Sequence, residues 1–283
     1  MQSYKAPIND MKFILGDFLN SDSKDNLLND DEFAIDDLNL ILDEAGKFCE
    51  EVLLPLNQSG DQEGCKYSEG KVITPKGFKE AYKKFVDNGW QGAALDQKYG
   101  GQGLPYVINV LFDEMISSAN MSFGNYPGLT GNAFEAINKS ASEELKDLYL
   151  PKLATGEWSG TMNLTEPQCG TDLGLSKAMA IPQSDGSYNL TGTKIFITGG
   201  EQDLSENIIH LVLARTPNAP KGIKGISLFL VPKFIPNQDG SIGKRNSLNC
   251  GSIEDKMGIK ASSTCVMHYN EAKGWLVGDL HKG

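Results

Sequence analysis

The sequence predicts an α+β protein in which an all-helical domain precedes a small β-barrel domain. Up to about residue 155, apolar residues recur with the helical period, whereas later segments alternate with a period of two. The change falls at Gly156-Glu157-Trp158, and turn signals such as Asp185-Gly186 separate the segments that follow. We therefore expect a helical domain over residues 1–157 and a β-barrel domain over residues 158–283.

Helical periodicity predicts six helices, over about residues 9–19, 33–56, 75–89, 105–119, 129–138 and 142–153. The first is expected to begin at Asn9 or Asp10, whose side chains can cap the free N–H groups of a first turn. The second should stop near Pro55, because proline cannot donate a helical hydrogen bond. Thr74 is the expected cap of the third helix.

The second half of the chain predicts seven strands, over residues 158–164, 178–181, 188–192, 194–198, 208–215, 226–232 and 264–269. In the fourth of these, side chains alternate between the two faces of the sheet. Lys194, Phe196 and Thr198 should therefore share one face. That face would offer an aromatic ring beside a hydroxyl.

Composition excludes some functions. The 283 residues carry a formal net charge of −11, which argues against a nucleic-acid-binding surface because phosphates are neutralised by clustered Lys and Arg. An anionic ligand is still compatible with this charge, since a few local cations and helix N-termini can hold phosphate groups. The apolar share of 40% indicates a globular protein with a substantial core.

The cysteines, histidines and apolar segments indicate a cytoplasmic protein without a metal site. Five widely spaced cysteines contain no Cys-x-x-Cys pair, which favours reduced thiols over disulfides or zinc. The three histidines show no metal-ligand spacing. No stretch approaches the roughly 20 apolar residues of a membrane span, and no secretory signal is visible.

The most informative stretch runs from Met162 to Asp172 and reads as a short strand, a proline turn and a bend of small and hydroxyl residues. Glu166-Pro167 favours extended geometry before the turn, and Gly170 permits close approach of the backbone. Asp172 can cap the segment that follows. Such a bend can place backbone N–H groups and a hydroxyl against a flat polar ligand.

Leu164 to Asp172 and, about 25 residues later, Phe196-Ile197-Thr198-Gly199 together resemble the flavin-binding middle domain of the acyl-CoA dehydrogenases. Cys169 stands where alanine is common in that family, and Phe196 where tryptophan is common. Three further strings match the family: Tyr99 to Pro105, Lys224 to Pro232, and Glu254 to Thr264. The N-terminal segment resembles the extension of the larger-subunit branch that includes the methylmercaptopropionyl-CoA enzymes.

The resemblance implies that FAD is the cofactor and that the reaction is α,β-dehydrogenation of an acyl-CoA thioester. It implies seven flavin contacts, which are Met162, Leu164, Thr165, Gly170, Thr171, Phe196 and Thr198. Thr171 is also expected near CoA. Asn125, in a loop expected over residues 122–127, would approach the acyl chain.

The same resemblance leaves the catalytic base unassigned. In the family a Glu on a C-terminal helical bundle takes the proton, and that bundle should begin near His281, so we expect it to be absent from these residues. Glu166 is interpreted as a structural residue, and no catalytic residue is named. The chain is therefore expected to bind FAD weakly or not at all, and to be inactive alone.

The resemblance also implies electron-transfer flavoprotein as the acceptor and a homo-oligomer for the full-length member. An alternative is a non-catalytic binding or assembly protein that retains the scaffold. A third interpretation keeps the fold with different chemistry, as in flavin oxidases or the DNA-repair-associated relatives of the family. The acidic charge speaks against the DNA-associated version.

Overall fold

The chain is described by a computed structural model over residues 3–18 and 33–283. Six α-helices are found there: α1 (Ile8–Phe13), α2 (Ile35–Phe48), α3 (Leu54–Glu63), α4 (Phe78–Asp87), α5 (Tyr106–Ser140) and α6 (Glu143–Thr155). A π-helical turn, Ile14–Phe18, continues α1, and Leu19 of the first predicted helix lies outside the described residues. Within those residues α1 begins after Pro7, so the cap predicted at Asn9 or Asp10 is wrong.

Pro55 does not end the second helix. A π-helical turn, Cys49–Leu53, joins α2 to α3, and Pro55 falls in the first turn of α3. Just before Pro55 the π-helical turn shifts the hydrogen-bond pattern, since Leu54 N donates to Cys49 O, and a change of pattern of this kind accommodates a residue that has no N–H to donate. The helical path therefore continues to Glu63, beyond the predicted stop.

Thr74 does not cap α4. That helix begins at Phe78 after Gly77, which has a positive φ of 91°. The Thr74 hydroxyl instead donates to Asp203 Oδ1 at 2.8 Å, and Asp203 belongs to the sheet half of the chain. A residue that was expected to start a helix thus links the two halves.

Helix α5 replaces two predicted helices and the loop expected between them at residues 122–127. Its only non-helical residue is Asn120 (φ −160°, ψ 85°), where the helix kinks. The Asn120 side chain accepts from Phe123 N at 3.1 Å and donates to Leu53 O at 3.1 Å. Asn120 therefore caps the second half of α5, and Asn125 lies on a helix.

Nine strands are found in the described residues. A hairpin of β1 (Lys66–Ser68) and β2 (Lys71–Ile73) precedes a seven-stranded sheet, and neither hairpin strand was predicted. The sheet comprises β3 (Trp158–Asn163), β4 (Met179–Pro182), β5 (Tyr188–Thr198), β6 (Asn207–Arg215), β7 (Ile226–Pro232), β8 (Leu248–Ile253) and β9 (Thr264–Val277). Strand β8 was also missed by the sequence analysis.

The strand pairings close a circuit. Strand β6 pairs with β4 and β7, β4 pairs with β5, and both β5 and β7 pair with β9. Strand β3 adds to this circuit in parallel with β6, and β8 adds antiparallel to β9. The middle of the chain is thus a sheet curved upon itself, with apolar residues from β4 to β9 packed inside.

A β-bulge interrupts β5 between Lys194 and Ile197. The extra residue breaks the alternation of side chains, so Lys194 and Ile197 are both buried while Phe196 is 50% exposed. Phe196 has a positive φ of 59°, uncommon for a residue with a bulky side chain. The prediction that Lys194 shares a face with Phe196 and Thr198 is therefore wrong.

The second half of α5 packs on β3. Thr130 Oγ1 accepts from Gly160 N at 3.1 Å, and a Cβ at Gly160 would lie 2.4 Å from Ala133 Cβ. One turn earlier, the Tyr126 hydroxyl donates to Ala261 O at 3.1 Å and accepts from Ser263 N at 2.9 Å. These contacts fix α5 beside the strands that carry the predicted site.

Across the two described ranges, no helix has both the length and the apolar character that crossing a bilayer requires.

Candidate functional site

The end of β3 is tied to the bulged part of β5. Ile195 N donates to Thr165 O at 2.9 Å, and Lys194 Nζ donates to Leu164 O at 2.9 Å. In residues 3–18 and 33–283, neither the backbone N–H nor the hydroxyl of Thr165 has a hydrogen-bond partner. Thr165 therefore keeps two donors for a ligand while its carbonyl is held by the sheet.

Glu166, the next residue, is buried with Lys194; the two side chains are 3% and 0% exposed, and Lys194 Nζ lies 2.8 Å from Glu166 Oε1. The same oxygen accepts from Ala178 N at 3.1 Å and from the Ser176 hydroxyl. The other oxygen accepts from Lys177 N at 2.7 Å. The carboxylate thus fastens the segment 176–178 to the ends of β3 and β5.

These contacts decide the charge of the pair. Burial alone would raise the pKa of Glu166, but hydrogen bonds from Lys194, Ser176 and Lys177 N outweigh it and bring the pKa to about 2. Burial lowers the pKa of Lys194, and the Glu166 carboxylate opposes that effect. Glu166 is therefore ionised at neutral pH, and its carboxylate is engaged by these donors.

The bend after Pro167 presents Gly170 and Thr171 to solvent. Glu166 and Cys169 exchange two backbone hydrogen bonds of 2.9 and 3.0 Å, which close the turn. Gly170 lies beside Thr165, since a Cβ at Gly170 would be 3.9 Å from Thr165 Cγ2. Asp172 Oδ1 accepts from Gly174 N at 3.0 Å and so caps the short turn that follows, as predicted.

Thr198 and Asn125 meet at a second group of contacts. Thr198 pairs with Thr264 across β5 and β9, and Gly199 N donates to Ser263 O at 2.8 Å. Asn125 Nδ2 donates to Ser262 Oγ at 3.3 Å, so Asn125 lies against the same segment as Thr198. Gly199 has a φ of 65°, and a Cβ there would lie 3.4 Å from the Tyr126 ring.

Phe196 stands between these two groups on the bulge. Its ring is half exposed, and Lys256 Nζ lies 5.3 Å from the ring centroid. Met162 is half-buried in β3, where it pairs with Leu211 of β6. The structure thus brings Leu164, Thr165 and Gly170 together beside the start of the β5 bulge, and places Thr198 and Asn125 against the segment 262–264.

Three residues that position this surface were not assigned to it from the sequence. Lys194 was placed on the wrong face because the bulge is a tertiary feature, although a lysine within an apolar strand is itself an unusual signal. Tyr126 was read as part of a loop, and its hydroxyl contacts depend on a segment 135 residues away. Lys256 lies in a loop, where sequence spacing gives no indication of its neighbours.

Metal and disulfide chemistry receive no support from the described ranges. No group of three or more His, Cys, Asp or Glu there is close enough together to hold a metal ion. The five cysteines are free thiols, and four of them are buried.

Comparison with known proteins agrees with this architecture. The N-terminal domain of acyl-CoA dehydrogenases matches residues 36–157, and the middle domain of the same family matches residues 161–272. The chain therefore belongs to the acyl-CoA dehydrogenase family, a family of oxidoreductases. It has the fold of that family, with a helical N-terminal domain and a β-sheet middle domain.

Individual relatives extend the match. The chain is 48% identical over 281 residues to a 3-methylmercaptopropionyl-CoA dehydrogenase of Ruegeria pomeroyi, covering 99% of this chain and 48% of that protein. Butyryl-CoA dehydrogenase of Megasphaera elsdenii superposes with a TM-score of 0.72 at 27% identity, over 90% of this chain and 61% of the other. An acyl-CoA dehydrogenase of Bacillus anthracis in complex with FAD superposes with a TM-score of 0.67 at 26% identity, over 91% of this chain and 41% of the other. The chain thus spans about half the length of the curated relative.

Proposed function

We propose that this chain contributes the flavin-facing surface and part of the acyl-CoA site to an FAD-dependent α,β-dehydrogenation of an acyl-CoA thioester. The observation that carries the proposal is the pair of unengaged donors on Thr165, held in place beside a half-exposed aromatic ring at Phe196. The family membership supports the reaction class. The division into a helical domain over 1–157 and a sheet domain over 158–283 is part of the proposal.

The residues present fit a flavin. A flavin ring has one polar edge with several hydrogen-bonding atoms and two flat apolar faces. Thr165 and Thr198 keep hydroxyls without partners in the described residues, and Phe196 offers a flat ring between them. The exposed bend at Gly170 and Thr171 has backbone N–H groups without backbone partners across the same ranges, which suits a diphosphate.

When bound, FAD supplies the acceptor for the hydride that leaves the β carbon of the substrate. The chain's own residues orient that ring. Thr165 and Thr198 would donate to the edges on which negative charge develops, and fixed donors of this kind stabilise such charge without reorganisation. Phe196 would pack against the ring, and Met162 and Leu164 would border it.

The substrate contacts and the proton acceptor complete the proposal. Asn125 would face the acyl chain, since it lies against the same segment as Thr198, and Thr171 would approach CoA. Glu166, the acid of the central motif, is held by Lys194 and Ser176 and cannot serve as the base. We propose that turnover needs a carboxylate from outside these 283 residues, so that the chain alone binds FAD weakly and does not oxidise acyl-CoA.

The partners and setting implied by the family belong to the same proposal. They are electron-transfer flavoprotein as the electron acceptor, a homo-oligomeric full-length enzyme and a cytoplasmic location. The reaction class requires an acceptor for the electrons, because the flavin must be reoxidised after each turnover.

The test is a fluorescence titration of the purified chain with FAD, followed by gel filtration and a visible spectrum. We expect saturable but weak binding that is lost on the column. Thr165→Val and Thr198→Val should each raise the dissociation constant for FAD by about fivefold, the effect of one lost hydrogen bond. Thr191→Val is the matched control, because Thr191 lies on β5 away from the proposed surface.

Two results would contradict parts of the proposal. Equal FAD affinity in wild type, Thr165→Val and Thr198→Val would remove these residues from the flavin site. A tightly bound, stoichiometric flavin that survives gel filtration would show that the two domains suffice, and acyl-CoA reduction should then be measured directly.

A further inference from the structure

The Lys194 ammonium contacts the far end of the peptide group that carries the Thr165 N–H. Lys194 Nζ donates to Leu164 O at 2.9 Å, and this oxygen belongs to the same planar peptide unit as the Thr165 nitrogen. In a trans peptide the C=O and the N–H point in opposite directions. Lys194 is 0% exposed and Thr165 is partly exposed, so the carbonyl points inward and the N–H points away from the buried ammonium.

Strand β5 fixes the direction of this N–H. Leu164 O is held by the Lys194 side chain, and Thr165 O is held by Ile195 N at 2.9 Å. The two carbonyls on either side of the Thr165 N–H are therefore held by consecutive residues of one strand. A donor fixed in this way does not have to reorganise when charge develops on a ligand.

The charge of Lys194 acts mainly on the group in direct contact with it. Lys194 Nζ lies 2.8 Å from Glu166 Oε1, and two opposite charges this close largely cancel at a distance. The Glu166 carboxylate also accepts from the Ser176 hydroxyl and from the N–H groups of residues 177 and 178. Leu164 O, in contrast, contacts the ammonium, so the peptide 164–165 meets the positive end of the pair.

Such a contact makes the peptide N–H a stronger donor. A hydrogen bond to a peptide oxygen draws electron density away from the nitrogen, and bonds in a chain strengthen one another by about 10–30% in a medium of low dielectric constant. Hydrogen bonds from an ionised donor are roughly twice as strong as neutral ones. Because Lys194 is fully buried, water does not screen this effect.

We propose that Lys194 is a positioning residue that strengthens the Thr165 N–H as a donor and thereby favours binding of reduced over oxidised flavin. Reduced flavin is anionic at neutral pH and carries its charge on the polar edge of the ring, so a stronger donor stabilises it more than the neutral oxidised ring. Lys194 acts through the peptide 164–165 and does not itself touch the flavin. This inference rests on the function proposed above.

The first measurement uses the ligand-free chain labelled with ¹⁵N and ¹³C. In the wild type we expect a scalar coupling across the hydrogen bond between Lys194 Nζ and the Leu164 carbonyl carbon. Lys194→Met combined with Glu166→Gln removes both charges and leaves no buried charge unpaired. In this double variant the Thr165 ¹⁵N signal should move upfield, because less electron density is drawn from the nitrogen. The coupling needs no substitution, so it tests the contact even if the double variant does not fold.

The second measurement compares the dissociation constants of oxidised FAD and dithionite-reduced FAD under anaerobic conditions, both read from the Thr165 amide signal. In the double variant, the constant for oxidised FAD divided by that for reduced FAD should fall about three- to tenfold. For a two-electron couple this corresponds to a midpoint potential of the bound flavin lower by about 15–30 mV.

Two controls separate this effect from lost charge and from lost stability. Asp185→Asn with Lys273→Met removes the same two charges from an exposed pair, so the Thr165 amide signal and the ratio of constants should not change. Ser176→Ala loosens the Glu166 carboxylate while the ammonium stays on Leu164 O. It should therefore leave the ratio unchanged even where it weakens binding.

The outcomes decide the proposal. A purely structural role of Lys194 would weaken binding of both redox states equally, and an unchanged ratio in the double variant overturns the proposal. So does an unmoved Thr165 ¹⁵N signal, or a missing coupling when the Lys194 ammonium signal is resolved. If FAD binds in neither redox state, the function proposed above is refuted and the flavin role of Lys194 with it. If FAD binds and the Thr165 signal does not move, only the role of Lys194 is refuted.

Discussion

Two buried glutamates of the sheet domain, Glu166 and Glu201, each pair with a lysine, yet their surroundings differ. Lys194, the partner of Glu166, is 0% exposed, and both oxygens of this carboxylate accept hydrogen bonds. Glu201 pairs with Lys233, which is 12% exposed, and its Oε2 has no hydrogen-bond partner in the described residues. Arg245, 42% exposed, approaches that oxygen only to 3.6 Å.

The difference shows that two buried Glu–Lys pairs can contribute differently to the structure. Glu166 gathers donors from three separate segments next to the proposed flavin surface, so the position of Thr165 and Phe196 depends on it. Glu201 lies next to Lys233 and Arg245, which are partly exposed, so water can hydrate their charged groups if the carboxylate is lost. A buried ion pair is therefore best judged by what its loss would leave behind, since the intact pair itself adds little net stability.

The largest expected effect is that of Glu166→Gln. This change leaves the Lys194 ammonium buried without a countercharge, and breaking such a pair costs about 3–5 kcal/mol in the free energy of unfolding. Urea unfolding at pH 7 measures it. The exposed pair partner Asp87→Asn should leave stability essentially unchanged. A loss no larger than that of Asp87→Asn would remove the distinction between buried and exposed pairs here.

The pH dependence of stability sharpens the same point. The pKa of Glu166 falls from an ordinary 4.5 to about 2 on folding, so its contribution is present above pH 4.5 and lost as the pH falls through 2. That contribution is about 3 kcal/mol. Unfolding free energies measured from pH 7 to pH 2 should converge for wild type and Glu166→Gln. If the difference in unfolding free energy between wild type and Glu166→Gln stays constant from pH 7 to pH 2, the pH-dependent contribution does not come from Glu166.

Glu201→Gln should cost less, about 2 kcal/mol, because Lys233 and Arg245 retain contact with water when the carboxylate charge is removed. Urea unfolding at pH 7 measures the loss of unfolding free energy for Glu201→Gln and for Glu166→Gln under the same conditions. If the two substitutions prove equally costly, solvent access of the partner cation is not what separates the two sites.

The smallest expected effect is that of Ser176→Ala, about 1.5 kcal/mol, since it removes one buried hydrogen bond to a charged acceptor. Gln168→Ala is its matched control. Gln168 also donates to the Glu166 carboxylate, at 2.5 Å, but it is exposed, so water can replace it. Thermal unfolding of the two variants should therefore rank Ser176→Ala as the more destabilised.

The sequence predicted much of the fold because its signals are local. Alternation and turn residues located four of the seven predicted strands nearly to their ends, whereas the predicted strands 188–192 and 194–198 form the single strand β5 and the strand predicted over 264–269 continues to Val277. Asp172 caps a turn as its side chain suggested. The family motif at Leu164 to Asp172 was sufficient to identify the acyl-CoA dehydrogenase family. The contacts of individual residues with flavin stay predictions.

Several of the errors share one cause, which is that a distant segment overrides a local preference. Asn120 was hidden within an expected helix-loop-helix, because Leu53 O supplies a partner for Asn120 that the local sequence does not show. Strand β8 was missed because it carries a glycine and polar residues, and its pairing with β9 holds it in place. Thr74 bonds across domains to Asp203.

By itself the sequence determined the helical character of the first half, the change to strands near Trp158 and the motif that identifies the family, because periodicity, turn residues and short motifs act within a few residues. Only the tertiary structure decided that Lys194 turns inward to Glu166 while Phe196 faces outward on a bulge. These facts depend on register and burial between segments far apart in the chain, and such contacts leave no periodic trace in the sequence.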